Sequence, residues 1–566
     1  SDGFQITATY GEVNASGGTY IYMAFAEKPP GEIIDSLIDT PTNYEASSGN
    51  NGGNYATLNP LQKSSGSTLS NGNLDISMSS AQGTTFATMA FPASGKWYFE
   101  CTSNATECDI GIAKADASLS QYLGKNSSGY GYYKNGTVYN NDASAGSGAS
   151  YASGDIIGVA FDADAGTCKW YKNNSLQVTV SSLSGEWFPA FGAGSAAGIF
   201  NFGARPFEYT PPSNHLPLVT ANLTDPTIAD GSTAMDVALW TGNSGTQTIS
   251  GLGFSPDLVW GKCRSHGATA HHLTDVVRGA GKSLFSSATN AEVTYANYLT
   301  AFTSDGFTLG SGSELNYSGR TFVGWAWDAG TTTATNNNGS IQSTVRANQS
   351  AGFSITTWTG DGNNNKSVGH GLNAAPSIVI IKCRSTATSW HTYARALDST
   401  GRYQLYLNST SGKADFGTTF FDADSSVINL VGGTSVGING NGSTYVAYSF
   451  APVAGYSAFG SYTGNGSNDG PFLYTGFKPA FLIIKNTTAG VAEYWLMMDS
   501  TRSPDNVVKE FLYPNGTGAE GTQYFETDFL SNGFKIRNSS RADNYNNESY
   551  VYMAFAEHPF KTARAR

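Results

Sequence analysis

The densest group of side chains with a recognisable chemistry is the tyrosine- and asparagine-rich run GYGYYKNGTVYNN. Tyrosine rings stack on the CH faces of pyranose sugars, and carboxamides pair with sugar hydroxyls. The run therefore predicts a carbohydrate-binding site. Its candidate residues are Tyr130, Tyr132, Tyr133, Asn135 and Tyr139. Tyrosine at alternate positions is also typical of a strand that fills its own core, and this alternative stays open.

Pairs of carboxylates are the next candidates, because glycoside hydrolysis needs two of them about 5–10 Å apart. The pairs are Asp162 with Asp164, Glu100 with Glu107, and Asp422 with Asp424. FDADAG resembles half of a calcium loop, but its place between two apolar runs favours a hairpin turn, and the same holds for FFDADSS. We therefore predict no catalytic residue, no metal site and no cofactor.

Histidines concentrate at one place, where a metal or a general base is conceivable. They are His266, His271 and His272. The related segments described below hold one histidine, His391, or none. What persists is an aromatic or imidazole ring followed by Asp and Arg, as in Asp275 with Arg278 and Asp499 with Arg502. This pattern favours a packed strand beside an Asp–Arg pair.

Composition limits the class of protein. Charged residues make up 13% of the 566 residues, about half the usual share, while aromatic residues also reach 13%. This balance is typical of a folded, turn-rich, all-β chain. The net charge of −12 and the absence of a basic, aromatic-interleaved patch exclude a nucleic-acid partner, and no apolar run is long enough for membrane insertion. The 5 cysteines are scattered, which is typical of buried thiols.

Three landmarks recur along the chain and mark three complete copies of roughly 105–120 residues each. The first is aromatic-Thr-Gly-polar, beginning at Trp240, Trp358 and Tyr462. The second is a Gly and Pro ahead of an apolar strand that contains Lys, in the segments from Gly253, Gly371 and Gly476. The third is a closing strand, from Thr321, Ser443 and Ser549. Cys263 and Cys383 fall at equivalent positions, which predicts a shared structural slot.

The closing strands alternate with period two, and Asp-Gly or Asn-Gly precedes the run before them in two copies, at 305–306 and 532–533. These patterns predict antiparallel β-sandwiches. Residues 1–27 match 531–557 without a gap, so they correspond to the last hairpin of a fourth copy. We expect the remaining 60–80 or so residues of that copy to precede Ser1, although pairing with another chain is the alternative.

A different module lies between the first hairpin and the copies. Five motifs follow one another in order: WYFE from Trp97, GDIIG from Gly154, WYKN from Trp170, FPA from Phe188 and NFG from Asn201. Over about residues 75–210 the chain resembles the SPRY domain, a concanavalin-A-like sandwich. It departs from the family at Asn173-Asn174, where Asn-Gly is usual. The resemblance implies ligand contacts from loops at one end of the sandwich, which adds Trp170, Asn173 and Trp187 to the candidate residues.

Taken together, the SPRY-like module and the copies resemble tail-fibre-like proteins of marine tailed bacteriophages. The resemblance implies a non-enzymatic, structural and adhesive virion protein, made in the host cytoplasm and placed on the tail or particle surface. Its expected partners are other virion proteins, a host cell-surface glycan and further copies of itself in a homotrimer. A capsid-surface decoration or fibre protein is the first alternative, and a polysaccharide depolymerase is the second.

The predicted fold class is all-β, a string of antiparallel β-sandwich domains. One has the SPRY or concanavalin-A-like lectin fold, three are tandem repeat sandwiches, and a fourth is partial. The predicted boundaries are 1–30 for the hairpin of the truncated repeat, 31–74 for a polar connector, 75–212 for the SPRY-like domain, 213–235 for a linker, 236–330 for the first copy, 331–350 for a linker, 351–453 for the second copy and 454–566 for the third.

Overall fold

Alternating apolar residues between glycine-rich turns fold as short antiparallel strands throughout. The computed structural model describes residues 54–79, 82–104, 108–195 and 197–562. These residues form 42 strands, one short α-helix and two short 3-10 helices, which confirms the all-β prediction. The predicted hairpin at 1–30 lies outside them. Within the same ranges, no helix is long and apolar enough to cross a membrane.

The SPRY-like module is a sandwich of two sheets. The strands of the larger sheet are β1 (Ser67–Ser70), β2 (Asp75–Met78), β4 (Lys96–Ser103), β9 (Ile156–Asp162), β10 (Thr167–Lys172), β11 (Ser175–Val180), β13 (Ala197–Asn201) and β14 (Leu216–Pro217). The smaller sheet holds β3 (Gly83–Phe86), β5 (Asp109–Ala113), β6 (Gly129–Tyr133), β7 (Thr137–Asn140), β8 (Ala143–Ser147) and β12 (Phe188–Ala193). Their orders are β1-β2-β13-β4-β9-β10-β11, with β14 beside β4, and β3-β12-β5-β6-β7-β8. Phe99, Trp170 and Phe200 lie buried in the core of this module.

Three segments predicted as connectors are built into the sheets, and these boundaries need correction. The described part of the 31–74 connector supplies β1 and buries Tyr55 and Leu58. The 213–235 linker buries Leu218 and contains β14 and the 3-10 helices η1 (Thr220–Asn222) and η2 (Gly231–Thr233). The 331–350 linker contains a hairpin that extends the sheet of the second copy.

Each copy pairs a larger sheet with a sheet of three strands. The first copy has β15 (Met235–Thr241), β16 (Gln247–Ser250), β17 (Leu258–Cys263), β18 (His272–Asp275), β19 (Lys282–Phe285), β20 (Val293–Thr294), β21 (Leu299–Thr303), β22 (Gly306–Leu309), helix α1 (Ser313–Asn316) and β23 (Thr321–Trp327). The second has β24 (Thr333–Asn336), β25 (Ser343–Asn348), β26 (Phe353–Thr359), β27 (Lys366–Gly369), β28 (Ile378–Cys383), β29 (His391–Ala394), β30 (Tyr403–Tyr406), β31 (Ala414–Asp415), β32 (Asp422–Ala423), β33 (Val427–Leu430) and β34 (Thr444–Phe450). The third has β35 (Ser457–Thr463), β36 (Phe472–Tyr474), β37 (Phe477–Asn486), β38 (Leu496–Asp499), β39 (Phe511–Leu512), β40 (Thr527–Leu530), β41 (Gly533–Ile536) and β42 (Ser549–Pro559).

The closing strand is central in every large sheet, between the strand that ends in the aromatic-Thr-Gly landmark and the Gly/Pro strand. The large sheets run β15-β23-β17-β18-β19-β20, β24-β25-β26-β34-β28-β29-β30-β31 and β35-β42-β37-β38-β39. The small sheets run β16-β22-β21, β27-β33-β32 and β36-β41-β40. The shared order makes residues of the copies equivalent by register. Cys263 and Cys383, both buried thiols, pair with Phe322 and Tyr445 on the closing strands, as the shared slot predicts.

The Thr-Gly-polar landmark is explained by a buried asparagine in each copy. These asparagines are Asn316, Asn439 and Asn544, all fully buried. Asn316 accepts a hydrogen bond from the backbone N–H of Asn243 at 2.9 Å and donates to the carbonyl of Gly245 at 2.7 Å. The glycine of the landmark is required because a Cβ on Gly242 would stand 2.3 Å from the carbonyl oxygen of Tyr317. The landmark therefore marks a tight crossing of two turns.

The three copies share one hydrophobic core. Trp327 of the first copy lies at its centre, with ring centroids 6.2 Å from Phe450 of the second copy and 5.5 and 5.9 Å from Phe481 and Phe555 of the third. One buried cluster contains residues of all three copies. The series of sandwiches is therefore closed around a common interior.

Three equivalent lysines show that this closure is a ring with pseudo-three-fold symmetry. Lys382 of the second copy donates to the carbonyl of Thr289 in the first, at 3.1 Å. Lys485 of the third donates to Thr410 of the second at 2.8 Å, and Lys262 of the first donates to Thr517 of the third at 3.3 Å. Burial lowers the pKa of all three ammonium groups to about 8. Each copy therefore contacts both of the others. We call the three interfaces between copies the 1–2, 2–3 and 3–1 seams.

The SPRY-like module is held against the third copy. The ring of Tyr474 meets that of Phe188 edge-on, 5.1 Å between centroids. Asn532 donates to the carbonyl of Thr88 at 2.8 Å, and Lys535 donates to that of Leu61 at 3.2 Å. One apolar contact and two hydrogen bonds therefore hold the SPRY-like module against the third copy.

Candidate functional site

The strongest candidate site is a concavity of about 310 Å³ on the SPRY-like module, which we call the tyrosine hollow. It is lined by Gln82, Asp109, Tyr122, Tyr133, Tyr139, Asp142 and Gly194. Its volume lies at the lower end of the range for ligand pockets, about 300–1,000 Å³. Rings and carboxylates in one concavity fit a small polar ligand with some apolar surface.

A tight hairpin brings the carboxylate of Asp142 to the hollow. Asn141 and Asp142 join β7 to β8 with φ values of 52° and 60°. A two-residue hairpin loop with both φ values positive matches the right-handed twist of the strands and favours Asn and Asp. The backbone N–H of Asp142 donates to the carbonyl of Gly124 at 3.0 Å, which ties the turn to the segment carrying Tyr122.

Two donors hold the Asp142 carboxylate ionised. Lys125 Nζ lies 2.6 Å from Oδ2, and the Tyr122 hydroxyl donates to Oδ1. These bonds, that of Lys125 first, lower the pKa of Asp142 below its ordinary value. Burial and the neighbouring carboxylate raise the pKa of Tyr122. At neutral pH the hollow therefore presents an anion, which accepts hydrogen bonds from hydroxyl groups, beside neutral phenol rings.

Tyr139 lies between the other two rings. Its centroid is 6.4 Å from that of Tyr122 and 6.2 Å from that of Tyr133, both in edge-to-face geometry. Asn135 Nδ2 donates to the Tyr139 hydroxyl at 3.2 Å, and Asn135 Oδ1 accepts from the backbone N–H of Thr137 at 2.8 Å. Of the predicted residues, the structure therefore brings Tyr133, Asn135 and Tyr139 together.

Three predicted residues are core residues and leave the candidate set. Tyr132 and Trp170 are fully buried, and Trp187 is 3% exposed. Trp170 Nε1 donates to the carbonyl of Ile110 at 2.8 Å, and the Tyr132 hydroxyl donates to that of Ala149 at 2.5 Å. A ring without an open face cannot stack on a sugar. For Tyr132 the core interpretation of the alternating tyrosines is the right one.

Two more predicted residues lie elsewhere. Tyr130 is half-buried and packs on Trp187, 5.7 Å between centroids. Asn173 is exposed in a hairpin turn with φ of 43°, followed by Asn174 with φ of 68°. Asn173 Oδ1 accepts from the N–H of Ile156 at 2.9 Å. The Asn-Asn pair thus replaces the usual Asn-Gly of the family without losing the turn.

Sequence reasoning missed Tyr122 and Asp142. Tyr122 lies in an irregular segment between β5 and β6, where no periodicity predicts its direction. Asp142 carried a usable signal, because Asn-Asp between two short β-rich runs predicts a turn with both residues left-handed. The Asn-Asp pair therefore predicts the turn, but it does not predict the contact between Asp142 and Tyr122.

The carboxylate pairs weighed as catalytic groups have structural contacts. Asp162 forms an ion pair with Lys96 at 2.7 Å, and Asp164 accepts from the N–H of Gly95 at 3.0 Å in the β9–β10 turn. Glu100 is buried and accepts from two backbone N–H groups, while Glu107 lies outside the described residues. Asp424 accepts from two backbone N–H groups in the β32–β33 turn, and Asp422 accepts from the side chain of Asn429 at 2.7 Å.

Of the three clustered histidines, His271 and His272 belong to packing, whereas His266 is exposed. His271 and His272 are buried, and burial lowers the pKa of both. Trp260 Nε1 donates to Nδ1 of His271 at 3.0 Å, and His272 Nε2 lies 2.9 Å from Glu314. Asp275 and Arg278 form the expected buried pair. In the part of the chain that the structure describes, no three His, Cys, Asp or Glu side chains are grouped to hold a metal ion.

Comparison with protein families identifies two regions. A family described as a domain of unknown function (DUF7483) matches residues 230–559, more than half of the chain. The chain belongs to this family. The matched span takes in all three copies, so the family corresponds to the ring as a unit. The SPRY domain family matches residues 96–205, in agreement with the motifs that begin at Trp97.

Three solved structures to which the chain is similar cover about a quarter of it. The TRIM65 PSpry domain is 13% identical, with 26% of this chain and 92% of that chain covered and a TM-score of 0.23. Stonustoxin is 22% identical, with 26% of each chain covered and a TM-score of 0.23. The SPRY domain of human HERC1 is 18% identical, with 25% and 94% covered and a TM-score of 0.23. No curated protein matches the sequence.

Proposed function

We propose that this protein is a structural and adhesive component of a phage particle, a tail fibre or similar appendage, that binds host-surface glycans through the tyrosine hollow. The observation that carries the proposal is the arrangement of Tyr122, Tyr133 and Tyr139 around the ionised carboxylate of Asp142. Rings of this kind bind the CH faces of a sugar, and the carboxylate accepts hydrogen bonds from its hydroxyls.

Each hollow would bind weakly, because it is small and open to water. Several copies on one particle would raise the effective concentration and therefore the avidity. The expected partners remain other virion proteins and a host glycan, with no nucleic acid and no membrane insertion. The expected location is the tail or the surface of the particle.

The proposed homotrimer would have to form through surfaces other than the seams between copies. Those seams are occupied within one chain, as the three lysine contacts illustrate. A capsid-surface decoration protein remains the first alternative, and localisation of the chain on a particle distinguishes it. A depolymerase remains the second, and its products distinguish it.

The test uses the full chain on an array of host envelope glycans. We expect binding that Tyr139→Ala weakens at least tenfold, about 1.4 kcal/mol, because the central ring of the hollow is lost. Tyr317→Ala is the matched control, since Tyr317 is 47% exposed on the first copy. Absence of glycan binding, or equal binding by both variants, would contradict the proposal. Release of new reducing ends from the polysaccharide would favour the depolymerase instead.

A further inference from the structure

A second concavity, of about 760 Å³, lies where the SPRY-like module meets the second and third copies, and we call it the inter-module cleft. Asp116 and Glu186 line it from the SPRY-like module, Leu397 and Lys413 from the second copy, and Thr487 and Tyr462 from the third, among others. It does not share a residue with the tyrosine hollow. Its volume is ample for an oligosaccharide.

The cleft opens at the one seam of the three that differs in sequence. At the 1–2 seam, Glu292 binds Arg384 at 2.9 Å and Arg278 at 3.0 Å. At the 3–1 seam, Glu520 binds Arg264 at 2.8 Å and Arg502 at 2.9 Å. Both arrangements place a glutamate between two arginines and fill the seam.

The backbone identifies the equivalent residues at the 2–3 seam. The N–H of Glu292 donates to the carbonyl of Arg384, that of Glu520 to Arg264, and that of Lys413 to Thr487. Lys413 therefore stands where the other copies have glutamate, and Thr487 stands where they have arginine.

The second arginine is also missing at this seam. Asp275 pairs with Leu258 on the neighbouring strand, and Ala394 pairs with Ile378 at the same register. Arg278 and Leu397 each lie three residues further on, so they are equivalent. Leu397 and Thr487 are shorter than the two arginines that they replace, so space is left at the 2–3 seam. Lys413 also puts a positive charge where the other seams have the negative charge of a glutamate.

Charged groups lie on opposite walls of this space. Lys413, whose ammonium lies 4.5 Å from the ring centroid of Tyr403, is on the wall formed by the second copy. Asp116 and Glu186 are on the wall formed by the SPRY-like module together with Lys63, and the third copy adds Lys535 and Asp469. Water reaches Glu186 through the cleft, while the surrounding atoms displace part of its hydration and raise its pKa to about 7. Lysine binds a carboxylate, and carboxyl groups accept hydrogen bonds from hydroxyls.

We propose that the inter-module cleft is a binding site for an acidic oligosaccharide, with a sugar carboxylate at Lys413 and sugar hydroxyls at Asp116 and Glu186. The divergence of the second and third copies creates the site, because the residues that close the other two seams are absent here. This site would operate whether or not the tyrosine hollow binds a glycan.

The test measures binding of tetragalacturonate and of neutral maltotetraose to the full chain by titration calorimetry. We expect the acidic probe to bind at least tenfold more tightly than the neutral one. Lys413→Glu should weaken the acidic probe at least tenfold. The triple variant Leu397→Arg, Lys413→Glu and Thr487→Arg, which rebuilds the seam of the other copies, should abolish binding while keeping the melting temperature.

Two control variants isolate the cleft. Lys509→Glu makes the same charge change at an exposed position of the third copy and should leave the affinity unchanged. Tyr139→Ala should also leave it unchanged, which separates this site from the hollow. Absence of binding, equal affinity for both probes, or unchanged affinity in Lys413→Glu would overturn the proposal. If the triple variant unfolds, Lys413→Gln provides the decisive comparison.

Discussion

Tyr448 of the second copy donates its hydroxyl hydrogen to Oδ2 of Asp275 in the first copy at 2.8 Å. At the 3–1 seam Trp325 of the first copy donates to Oδ2 of Asp499 in the third, at 2.9 Å. Tyr448 and Trp325 are equivalent on the closing strands, so the same crossing occurs twice around the ring. A closing strand therefore completes its own sheet and also binds the neighbouring copy.

The first prediction concerns this crossing. Tyr448→Phe removes one donor from a fully buried carboxylate, so we expect the free energy of unfolding to fall by about 1–3 kcal/mol. Urea unfolding followed by tryptophan fluorescence measures it. Tyr317→Phe, at an exposed position, is the control and should change stability by less than about 0.5 kcal/mol. Equal stability of the two variants would refute a stabilising role for the crossing.

The second prediction concerns the shared core. Trp327 is 1% exposed and contacts rings of both other copies. Trp327→Ala should therefore cost about 3–5 kcal/mol and should accelerate amide exchange in all three copies together. Hydrogen exchange with mass spectrometry reads each copy separately. Leu239→Ala, at a 40% exposed position of the first copy, is the control. Faster exchange confined to the first copy would show that the copies unfold independently.

Much of the fold follows from the sequence, because its signals are local. Alternation in the closing strands predicts β-structure, and the landmark glycines predict turns, as Gly242 illustrates with its close approach to Tyr317. The closed arrangement of the three copies cannot be predicted from the sequence. The alternating pattern around Trp327 is the same whether its side chain packs within its own copy or against another copy. The polar composition of 331–350 suggested a linker, although a hairpin with one exposed face has the same composition.

The candidate site was predictable in part for the same reason. Tyr133, Asn135 and Tyr139 lie on one hairpin, so their proximity follows from local sequence. Tyr122 reaches the hollow through an irregular segment, and its contact with Asp142 depends on tertiary structure. The burial of Trp170 depends on which face of its strand meets the second sheet, and one strand considered alone leaves this open.

The third prediction is a dependence of stability on pH at the 3–1 seam. Burial would raise the pKa of Glu520, but Arg264 and Arg502 hold it below its ordinary value. A carboxyl whose folded pKa is depressed stabilises the fold above its unfolded pKa, about 4.3, and this contribution is lost as the pH falls further. Glu520→Gln should therefore cost about 3 kcal/mol at pH 7, and progressively less below pH 4.

Chemical denaturation at a series of pH values measures this difference. Glu526→Gln, at an exposed position of the same copy, is the matched control and should keep the slope of the parent protein. A difference between Glu520→Gln and the parent that stays constant from pH 7 to pH 3 would contradict the assignment, because it would arise from packing alone.

The fourth prediction has the opposite sign and concerns Asp543 of the third copy. It precedes the buried Asn544, as Leu315 precedes Asn316 and Ile438 precedes Asn439, so a carboxyl occupies an otherwise apolar position. Asp543 is fully buried, with Asn538 Nδ2 2.9 Å from Oδ2. Burial raises its pKa to about 7, against the donor effect of Asn538.

A carboxyl with a raised folded pKa gives most stability below its unfolded pKa, about 3.9, and that stability is lost as the pH rises to about 7. Asp543→Asn keeps the shape and the acceptor for Asn538 but cannot ionise. We therefore expect it to match the parent protein at pH 4 and to exceed its free energy of unfolding at pH 8, by up to about 4 kcal/mol. Urea unfolding at both pH values measures the gain. Asp528→Asn, on β40 and paired with Arg537, is less buried and should show no such gain. Parallel stability profiles for Asp543→Asn and the parent would mean that the buried carboxyl ionises in the folded protein as easily as in the unfolded chain.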